Sequence, residues 1–439
     1  MPYLDSRGLP ISTTSDAAAA HYRDGIDLIL AAWTGGVEAL DLAIAADPQF
    51  ALAVAARARM HTVLGESAKA RSLIDQAEAL VSANGTERER RHVAVLALAI
   101  RGNAPAALDH ALAHLTQWPR DVFILSLPPG AFGMFAFSGM AEHSQAAVDL
   151  CERVADHYDQ DWWFLTSLGW AHTENDNVAR GRKLTEQGFA LRHSNAHAVH
   201  ALAHAMFEDG SGRQADALIT GWLPSYDHAG ILHGHLSWHQ SLVALEAGDI
   251  DRALALYAQG VRPSVTASLP INVVSDCASF LWRVDAYGHA APRAMWDELT
   301  EYTAALFPNP GFAFVDIHMA LIAAANGDRA RLDARVEGLN AKIAKGAFPA
   351  GGVVPTVCQA LYAFADGDHR SCVNLLEPVA HDVVRMGGSH AQREVIEDTL
   401  LLALLNSGET GKGRALLDRR LHRRPSPRDL AWRARVEQV

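Results

Sequence analysis

Cysteine is scarce in this sequence. Only four occur in 439 residues, and no two of them have the spacing of a metal-binding or redox motif. Separated thiols of this kind are typical of free, buried cysteines in a reducing compartment. We therefore expect a cytoplasmic protein without cysteine chemistry. The four positions are Cys151, Cys277, Cys358 and Cys372.

Long apolar segments are missing as well. The longest apolar runs, such as VAVLALAI from Val93, are far too short to span a bilayer. The N-terminus, MPYLDSRGLP, carries early charges and lacks the apolar region of a signal peptide. These absences predict that the protein is not secreted and has no membrane partner.

The sequence has no excess of positive charge. Its formal net charge is −12, which argues against a nucleic-acid partner because phosphate binding needs a basic face. The one basic block, RRLHRRPSPR near the C-terminus, is interpreted as a solvated helix end. No phosphate loop, dinucleotide fingerprint or GxSxG nucleophile motif is present, so those enzyme classes have no support.

Regularly spaced turns are abundant. Short Gly-acid or Gly-Asn steps and a few weaker turns separate helix-length stretches, in which apolar residues recur at spacings of three and four. Neighbouring turns lie 36 to 41 residues apart. This range is typical of helix-turn-helix repeats, which are near ~34 residues in tetratricopeptide repeats and ~40 to 47 in longer helical pairs. The turns are at Gly65, Gly102, Gly139, Asp176, Gly212, Gly248, Gly288, Gly327, Gly367 and Gly408.

The period predicts an all-α fold, a right-handed α-α superhelix of about ten helix-turn-helix repeats that forms a tetratricopeptide-like solenoid. Residues 1–16 are expected to form an N-terminal arm or cap, with Asp5 and Arg7 folding back. Residues 17–439 are expected to form a single superhelical domain. A division into two helical domains stays open, near residues 345–355 or near the segment SYDHAG from Ser225.

Histidines are concentrated in residues 193–239, which hold eight of the 22 in the chain. His200 and His204 are four residues apart, as are His235 and His239, so each pair shares a helix face. Adjacent packed helices lie roughly 8–10 Å apart, so both pairs can converge on one point. Imidazoles so placed are suitable ligands for a divalent metal such as zinc or iron, and suitable acid/base groups. Two alternatives stay open, a metal-free polar pocket and ordinary buried or surface histidines.

Counting back from each turn places further polar residues at similar positions along the first helices of their pairs. Asp316 and His318 lie 11 and 9 residues before Gly327, on a first helix of the kind that lines the groove in tetratricopeptide-like stacks. We predict that this pair takes part in catalysis by orienting groups or relaying protons. The same counting places two residues at the substrate, Trp163 and Asp276.

The segment GGSHAQR, from Gly387 to Arg393, is a different kind of candidate. Ser389 is placed to cap the helix that follows, and helix capping alone is one interpretation. The backbone N–H groups of such a turn, together with Arg393, are also suited to hold an anion. We therefore expect Ser389, Gln392 and Arg393 to bind an anionic substrate group.

These patterns support two functional hypotheses. The first is a His/Asp-lined concave pocket that binds a small molecule, as a metal-dependent or acid/base enzyme of small-molecule metabolism. Hydrolysis by a metal-activated water is then the simplest chemistry. The alternative is a non-catalytic scaffold that binds a peptide or protein in its groove. Histidines and aspartates, rather than the Lys, Arg and Asn of peptide grooves, favour the first. Enzyme status, ligand, reaction type and oligomeric state stay open.

Six blocks, in order and over nearly the whole chain, resemble the tetratricopeptide repeat protein 38 family: DSRGLPISTTSDAAAAHYRDGID, HAVHALAH, HGHLSWHQSLVALEAGD, SDCASFLWR, VDIHMALIAAANGD and GGSHAQREVIEDTLLLALL. The resemblance implies a tetratricopeptide-like protein of poorly defined role, with some bacterial members associated with small-molecule metabolism. It implies that Arg283, a further expected substrate-binding residue, occupies a family motif position. His197 stands where many relatives have an aromatic, and it is not carried over. The other implied motif positions are His200, His204, His235, His239, Asp276, Trp282, Asp316, His318, Ser389, Gln392 and Arg393.

Overall fold

The computed structural model describes residues 3–437, and this part of the chain is predominantly helical. It contains 23 α-helices, and its strands form a single antiparallel ladder of β1 (Tyr3–Leu4) and β2 (Pro10–Ile11). The predicted all-α superhelical class is confirmed by the succession of packed helices. None of the helices between residues 3 and 437 is long and apolar enough to cross a membrane.

The helices follow one another as pairs, and in ten of the eleven pairs the first helix packs on the second. The exception is the short helix Val122–Leu125, which packs on the preceding helix, Ala104–Gln117. Eleven pairs occur in the described residues, against about ten expected. The first helices are α1 (Asp16–Leu30), α3 (Ala51–Val63), α5 (Glu87–Ile100), α7 (Val122–Leu125), α9 (Trp162–Thr173), α11 (Ala196–Glu208), α13 (His233–Glu246), α15 (Pro270–Ala286), α17 (Ala313–Ala325), α19 (Val353–Ala365) and α21 (His390–Asn406).

Each first helix is followed by a second helix, and one more helix ends the array. They are α2 (Gly36–Ala46), α4 (Ser67–Asn84), α6 (Ala104–Gln117), α8 (His143–Val154), α10 (Val178–Leu191), α12 (Gly212–Trp222), α14 (Ile250–Leu256), α16 (Arg293–Thr303), α18 (Arg329–Ala344), α20 (His369–Leu376), α22 (Thr410–Arg423) and the final α23 (Pro427–Val436). Short 3₁₀ segments lie at Ala136–Ser138, Ala155–His157, Leu223–Ser225 and Glu377–Met386, and a π-helical turn lies at Tyr257–Val261.

The Gly-Asp steps form turns for a simple physical reason. Gly248 has φ +81°, a left-handed conformation that costs glycine little and ends α13. The N–H of Asp249 then donates to the carbonyl of Ala244 at 3.0 Å. The side chain of Asp249 accepts the N–H of Arg252 and thereby caps α14. One dipeptide therefore both stops a helix and starts the next.

Two turns differ from the predicted positions. The residue in the left-handed conformation before α12 is Gly210, with φ +79°, and the predicted Gly212 is already the first residue of that helix. The first pair turns at Gly35, with φ +91°, within a Thr-Gly-Gly sequence that has no acidic residue after the glycine. The period was predicted correctly, but the search for Gly-acid steps missed this turn.

The turn after the first helix of the array contacts residues in the middle of the chain. The N–H of Ala196 donates to the carbonyl of Ala31 at 2.9 Å. The ring of Trp33 lies 5.9 Å from that of Trp222 and 5.2 Å from that of Tyr226, measured between ring centroids. These residues belong to the smallest of three apolar clusters, while the two larger ones fill residues 11–171 and 207–432. The turn of the first helix pair therefore contacts residues of the sixth pair, which lies far from it in the sequence.

The N-terminal segment is fixed to the array by ion pairs. The guanidinium of Arg7 pairs with Asp27 on α1 and, at 3.1 Å, with Asp161 at the start of α9. The carboxylate of Asp5 accepts the N–H of Arg7 at 2.9 Å and that of Leu9 at 2.8 Å, which shapes the arm. The arm thus bridges two helices that are far apart in the sequence.

Candidate functional site

Four histidines on α11 and α13 meet inside the superhelix. The Nε2 atom of His200 lies 3.0 Å from Nε2 of His204 and 3.0 Å from Nε2 of His235. With His239, all four residues place a ring nitrogen within 4.8 Å of one another, and all four are buried. The two predicted histidine pairs are therefore in one place, on the facing sides of neighbouring helices. We call these four residues the histidine cluster.

Two carboxylates flank the histidine cluster. Nδ1–H of His235 donates to Oδ2 of Asp276 at 2.7 Å, which leaves a lone pair on Nε2 directed at the cluster. Nδ1 of His204 lies 3.2 Å from Oε1 of Glu174, an ion-pair distance with poor alignment for a hydrogen bond. The second oxygen of Glu174 accepts the N–H of His390 at 2.8 Å. Asp276, which we expected at the substrate, instead orients a cluster histidine.

Burial determines the charge state of the cluster. Desolvation, with the other imidazoles as a smaller cause, holds the pKa of His200 and of His239 well below the usual range. Both rings are therefore neutral at pH 7, the state in which imidazole binds metals. Burial by itself would raise the pKa of Glu174, but His390 and His204 together bring it to about 2. Glu174 is thus an anion beside the histidine cluster.

A cavity of about 750 Å³ borders the histidine cluster. This volume is within the range of small-molecule sites, roughly 300–1,000 Å³. His200 and His235 both lie on its wall, so the cluster can contact a molecule held there. Among the residues predicted to bind substrate, three line the cavity, namely Trp163, Ser389 and Gln392. Ser389 and Gln392 also form a reciprocal capping box at the start of α21.

Sequence analysis missed two residues on the cavity wall. The ring of Trp170 stacks on His200, with centroids 5.2 Å apart and planes 24° apart, and meets His204 edge-on. Arg59 lines the cavity from α3. Both lie six residues before the left-handed residue of their own turn, as His204 does before Gly210. Counting from Gly210 instead of Gly212 would have predicted both.

Asp316 and His318 are not part of this arrangement. Asp316 pairs with Arg335 and accepts the N–H of Gly311 at 2.9 Å, while Nδ1–H of His318 donates to the carbonyl of Phe314 at 2.7 Å. Neither residue lines the cavity or belongs to the cluster. Positions two apart on a helix differ by roughly 200° in direction, so the pair cannot face one groove.

The two arginines expected at the substrate are bound elsewhere. Nε of Arg283 donates to Asp398 at 3.1 Å and Nη2 to the carbonyl of Ala391 at 2.8 Å. Nη1 of Arg393 donates to the carbonyl of Gly388 in its own loop. Neither guanidinium lines the cavity, and both tie helices or loops together. The nearby Trp282, a family motif position, donates its indole N–H to Thr399 at 2.9 Å.

A second group of titratable residues lies on α5 and α6, around Asp121. Its carboxylate receives Nη1–H of Arg88 at 2.8 Å and ring nitrogens of His92 and His114 at about 3.0 Å. Burial would raise the pKa of Asp121, but these three partners hold it well below its usual range. Because a guanidinium already neutralises the carboxylate, we interpret this group as a structural network rather than a metal site.

No protein-family model matches the chain. Among solved structures, the chain is similar to one in the structure of Naa15/Naa10 bound to HypK-THB, with 13% identity and a TM-score of 0.24 over 92% of this chain and 63% of that one. It is also similar to yeast Tom70, with 14% identity and a TM-score of 0.31 over 96% of this chain and 88% of Tom70. The chain thus spans less than two thirds of its match in the first structure. Both likenesses are distant, and the helical-repeat architecture rests on the eleven helix pairs themselves.

Proposed function

We propose that the histidine cluster binds a divalent metal, zinc or iron, at the edge of a cavity that holds a small molecule. The observation that carries this proposal is the 3.0 Å approach of Nε2 of His200 to Nε2 of both His204 and His235. Asp276 accepts the hydrogen bond from Nδ1–H of His235, so the neutral form of that ring has its lone pair on Nε2. His200 has at most one Nε2 proton to share between two such neighbours. A metal ion satisfies all three nitrogens at once.

The spacing of the nitrogens supports the same proposal. Tetrahedral zinc with Zn–N distances of ~2.0–2.1 Å places its ligand atoms roughly 3.4 Å apart. The Nε2 separations of 3.0 Å around His200 need only a small opening to reach that value. Asp276 and Glu174 on the outer side of two rings match the carboxylate–histidine–metal arrangement, in which the carboxylate fixes the tautomer and raises ligand basicity.

We further propose that the site catalyses hydrolysis. If three of the four histidines held the metal, the fourth ligand position would be open, and it would face the bound molecule because His200 and His235 border the cavity. A metal in such a site lowers the pKa of its bound water to about 7 and supplies a hydroxide nucleophile. The protein's own contribution is to exclude bulk water with apolar walls, and to keep His200 and His239 neutral by burial.

Metal content tests the proposal directly. The protein is purified without a histidine tag, reconstituted anaerobically with Zn²⁺ or Fe²⁺, desalted and analysed by inductively coupled plasma mass spectrometry. We expect one metal per chain, and its loss in His200→Ala. His197→Ala is the matched control, because His197 lies on the same helix and lines the cavity without belonging to the cluster. Absence of stoichiometric metal, or equal loss in both variants, would overturn the proposal.

A second candidate function is favoured by the helical-repeat architecture, which in general offers concave surfaces to peptides or proteins. In this case the cavity would hold an extended segment of a partner, and the histidines would serve recognition or packing. Phage display against the immobilised chain is the test. A consensus peptide that binds without metal and loses affinity in Trp163→Ala would favour the scaffold, because Trp163 lines the cavity.

We also propose three broader assignments. Membership of the tetratricopeptide repeat protein 38 family is supported by the six sequence blocks described above. An arm of residues 1–16 with one superhelical domain over 17–439 is supported by the ion pairs of Arg7 to two separate helices. A cytoplasmic location is supported by the four cysteines, all of them free and buried.

A further inference from the structure

We infer that Arg59 anchors the anionic group of a small molecule whose apolar body fills the cavity. The inference rests on the proposed function to the extent that the same cavity is taken as the substrate site. Arg59 lies on α3 and lines the cavity, whereas the histidine cluster borders it from α11 and α13. The substrate class is therefore an amphipathic anion, a carboxylate or a phosphate ester with a single anionic group.

The first observation is that Arg59 has no partner of opposite charge. No ion pair or side-chain hydrogen bond joins it to any residue from 3 to 437. Burial lowers the pKa of its guanidinium, and no neighbouring carboxylate offsets that effect. On the same helix, Arg57 donates to Asp41 at 2.7 Å, so the sequence around Arg59 does supply partners to a neighbouring arginine.

Other arginines of the interior show how this chain ordinarily treats a buried guanidinium. Eight arginines are more than nine-tenths buried. One of them, Arg393, donates to the carbonyl of Gly388 and has no ion pair. The other seven each form an ion pair with a carboxylate: Arg7, Arg88, Arg283, Arg335, Arg420, Arg424 and Arg428. Pairing is expected, because an uncompensated buried charge is costly. Arg59 is half-buried and unpaired, as are Arg192 and Arg331. What distinguishes Arg59 from them is its position on the cavity wall, where an anion from outside can supply the missing charge.

The two carboxylates that border the cavity do not provide it. Glu38 and Asp227 both line the cavity, but they are exposed and neither reaches Arg59. Asp227 instead accepts the N–H of Ala229 at 2.9 Å. Solvent screens both of them, whereas a guanidinium partly removed from water keeps its attraction for a bound anion. Arginine also matches carboxylate and phosphate oxygens in a two-pronged geometry.

The second observation is the composition of the rest of the wall. Aromatic side chains from separate parts of the chain face the cavity, and they offer apolar contact area to an alkyl or aryl body. They are Trp33, Phe123, Phe132, Trp163 and Trp170. One cation in an otherwise mainly apolar chamber selects a ligand with one charged end.

Isothermal titration with three eight-carbon probes tests the inference. Octanoate, octyl phosphate and 1-octanol are titrated into the wild-type chain, Arg59→Met, Arg59→Lys and the control Arg57→Met. We expect the two anions to bind about 10- to 100-fold more weakly to Arg59→Met, because a charge-assisted hydrogen bond is lost. Arg57→Met should bind like the wild type, and Arg59→Lys should keep part of the affinity. Octanol affinity should be the same in all four proteins. The tighter of the two anions identifies the natural anionic group.

Equal binding of the anions to wild type and Arg59→Met would overturn the inference, as would octanol binding as tight as octanoate, or no binding of any probe to the wild type. Thermal melting of each variant shows that it is folded. Metal content measured on the same samples separates the two proposals. Stoichiometric metal without an Arg59 effect removes only this inference, and an Arg59 effect without metal removes only the metal site.

Discussion

The imidazole of His235 donates Nδ1–H to Oδ2 of Asp276 at 2.7 Å, and both side chains are at least 97% buried. The bond joins α13 to α15 and presents the opposite ring nitrogen to the histidine cluster. One hydrogen bond therefore fixes a tautomer, a ring orientation and the position of a lone pair. Several measurable consequences depend on this and related contacts.

Asp276→Asn should weaken metal binding by about 10- to 100-fold, because the carboxylate that orients and polarises the His235 ring becomes a neutral amide. The affinity is measured by competition with a chromophoric chelator. The exposed Asp251→Asn, which changes the net charge equally, is the control and should leave the affinity unchanged. Equal affinities in the two variants would exclude Asp276 from metal binding.

Gly169→Ala should destabilise the chain by about 1–3 kcal/mol through overpacking. A Cβ at Gly169 would lie 2.2 Å from Oγ1 of Thr185 and 2.7 Å from the carbonyl of Gly181, so α9 would have to move away from α10. Gly221→Ala is the control, since its Cβ would meet nothing within 4 Å. That variant should gain up to ~1 kcal/mol from helix propensity. Urea unfolding measures both, and equal midpoints would contradict the packing argument.

Glu208→Gln should change how stability depends on pH. Burial raises the pKa of Glu208 from 4.5 to about 8. Between these values the folded chain keeps a proton that the unfolded chain has released, so stability falls as pH rises from 4.5 to 8. Removing the titration should therefore stabilise the variant most at pH 8, by at most about 3–5 kcal/mol.

Thermal unfolding at intervals between pH 4.5 and 8.5 measures this effect. The exposed Glu301→Gln serves as the control and should differ from wild type by the same amount throughout. A constant difference between Glu208→Gln and wild type over the whole range would show that Glu208 titrates normally.

Arg420→Met should destabilise the chain by about 3–5 kcal/mol, because it leaves buried carboxylates without their cation. Arg420 donates to Asp398 at 2.8 Å, to Glu394 at 3.0 Å and to Asp429 at 2.7 Å, and thereby ties α21 to α22 and to α23. The exposed Arg419→Met, on the same helix, should unfold like the wild type, because Arg419 forms no ion pair with any residue from 3 to 437. Guanidinium chloride titrations of both variants measure the difference. Similar unfolding midpoints would contradict the prediction that buried carboxylates without Arg420 destabilise the chain.

The fold was predictable from the sequence because its turns are chemically explicit. A Gly-Asp step combines a left-handed glycine with a helix-capping carboxylate, as Gly248 and Asp249 do, and that combination can be recognised without coordinates. The turn at Gly35 uses glycines alone and was missed for that reason. Helix existence and period therefore follow from local chemistry, while exact turn positions depend on which glycine takes the left-handed conformation.

The site was predictable only where the spacing of residues along one helix determines the face on which their side chains lie. His200 and His204 are one turn apart and share a face, so their convergence could be anticipated. Partners supplied by distant helices could not. Glu174 meets His204, and Arg393 turns to the carbonyl of Gly388, through tertiary contacts that no periodicity encodes. Arg59 could not be predicted for the opposite reason. It stands out because no residue from 3 to 437 forms an ion pair with it.

The hydrogen bond from Ala196 to Ala31 has a consequence for the size of the array. An open solenoid can grow or shrink by whole repeats, since each unit touches only its neighbours. Here nine helices, α2 to α10, span the distance between two fixed points of contact. We expect that adding or deleting a pair between these two points would separate Ala31 from Ala196 and break this contact. In contrast to an open solenoid, the number of helices between these two residues is therefore constrained by a contact between distant parts of the chain.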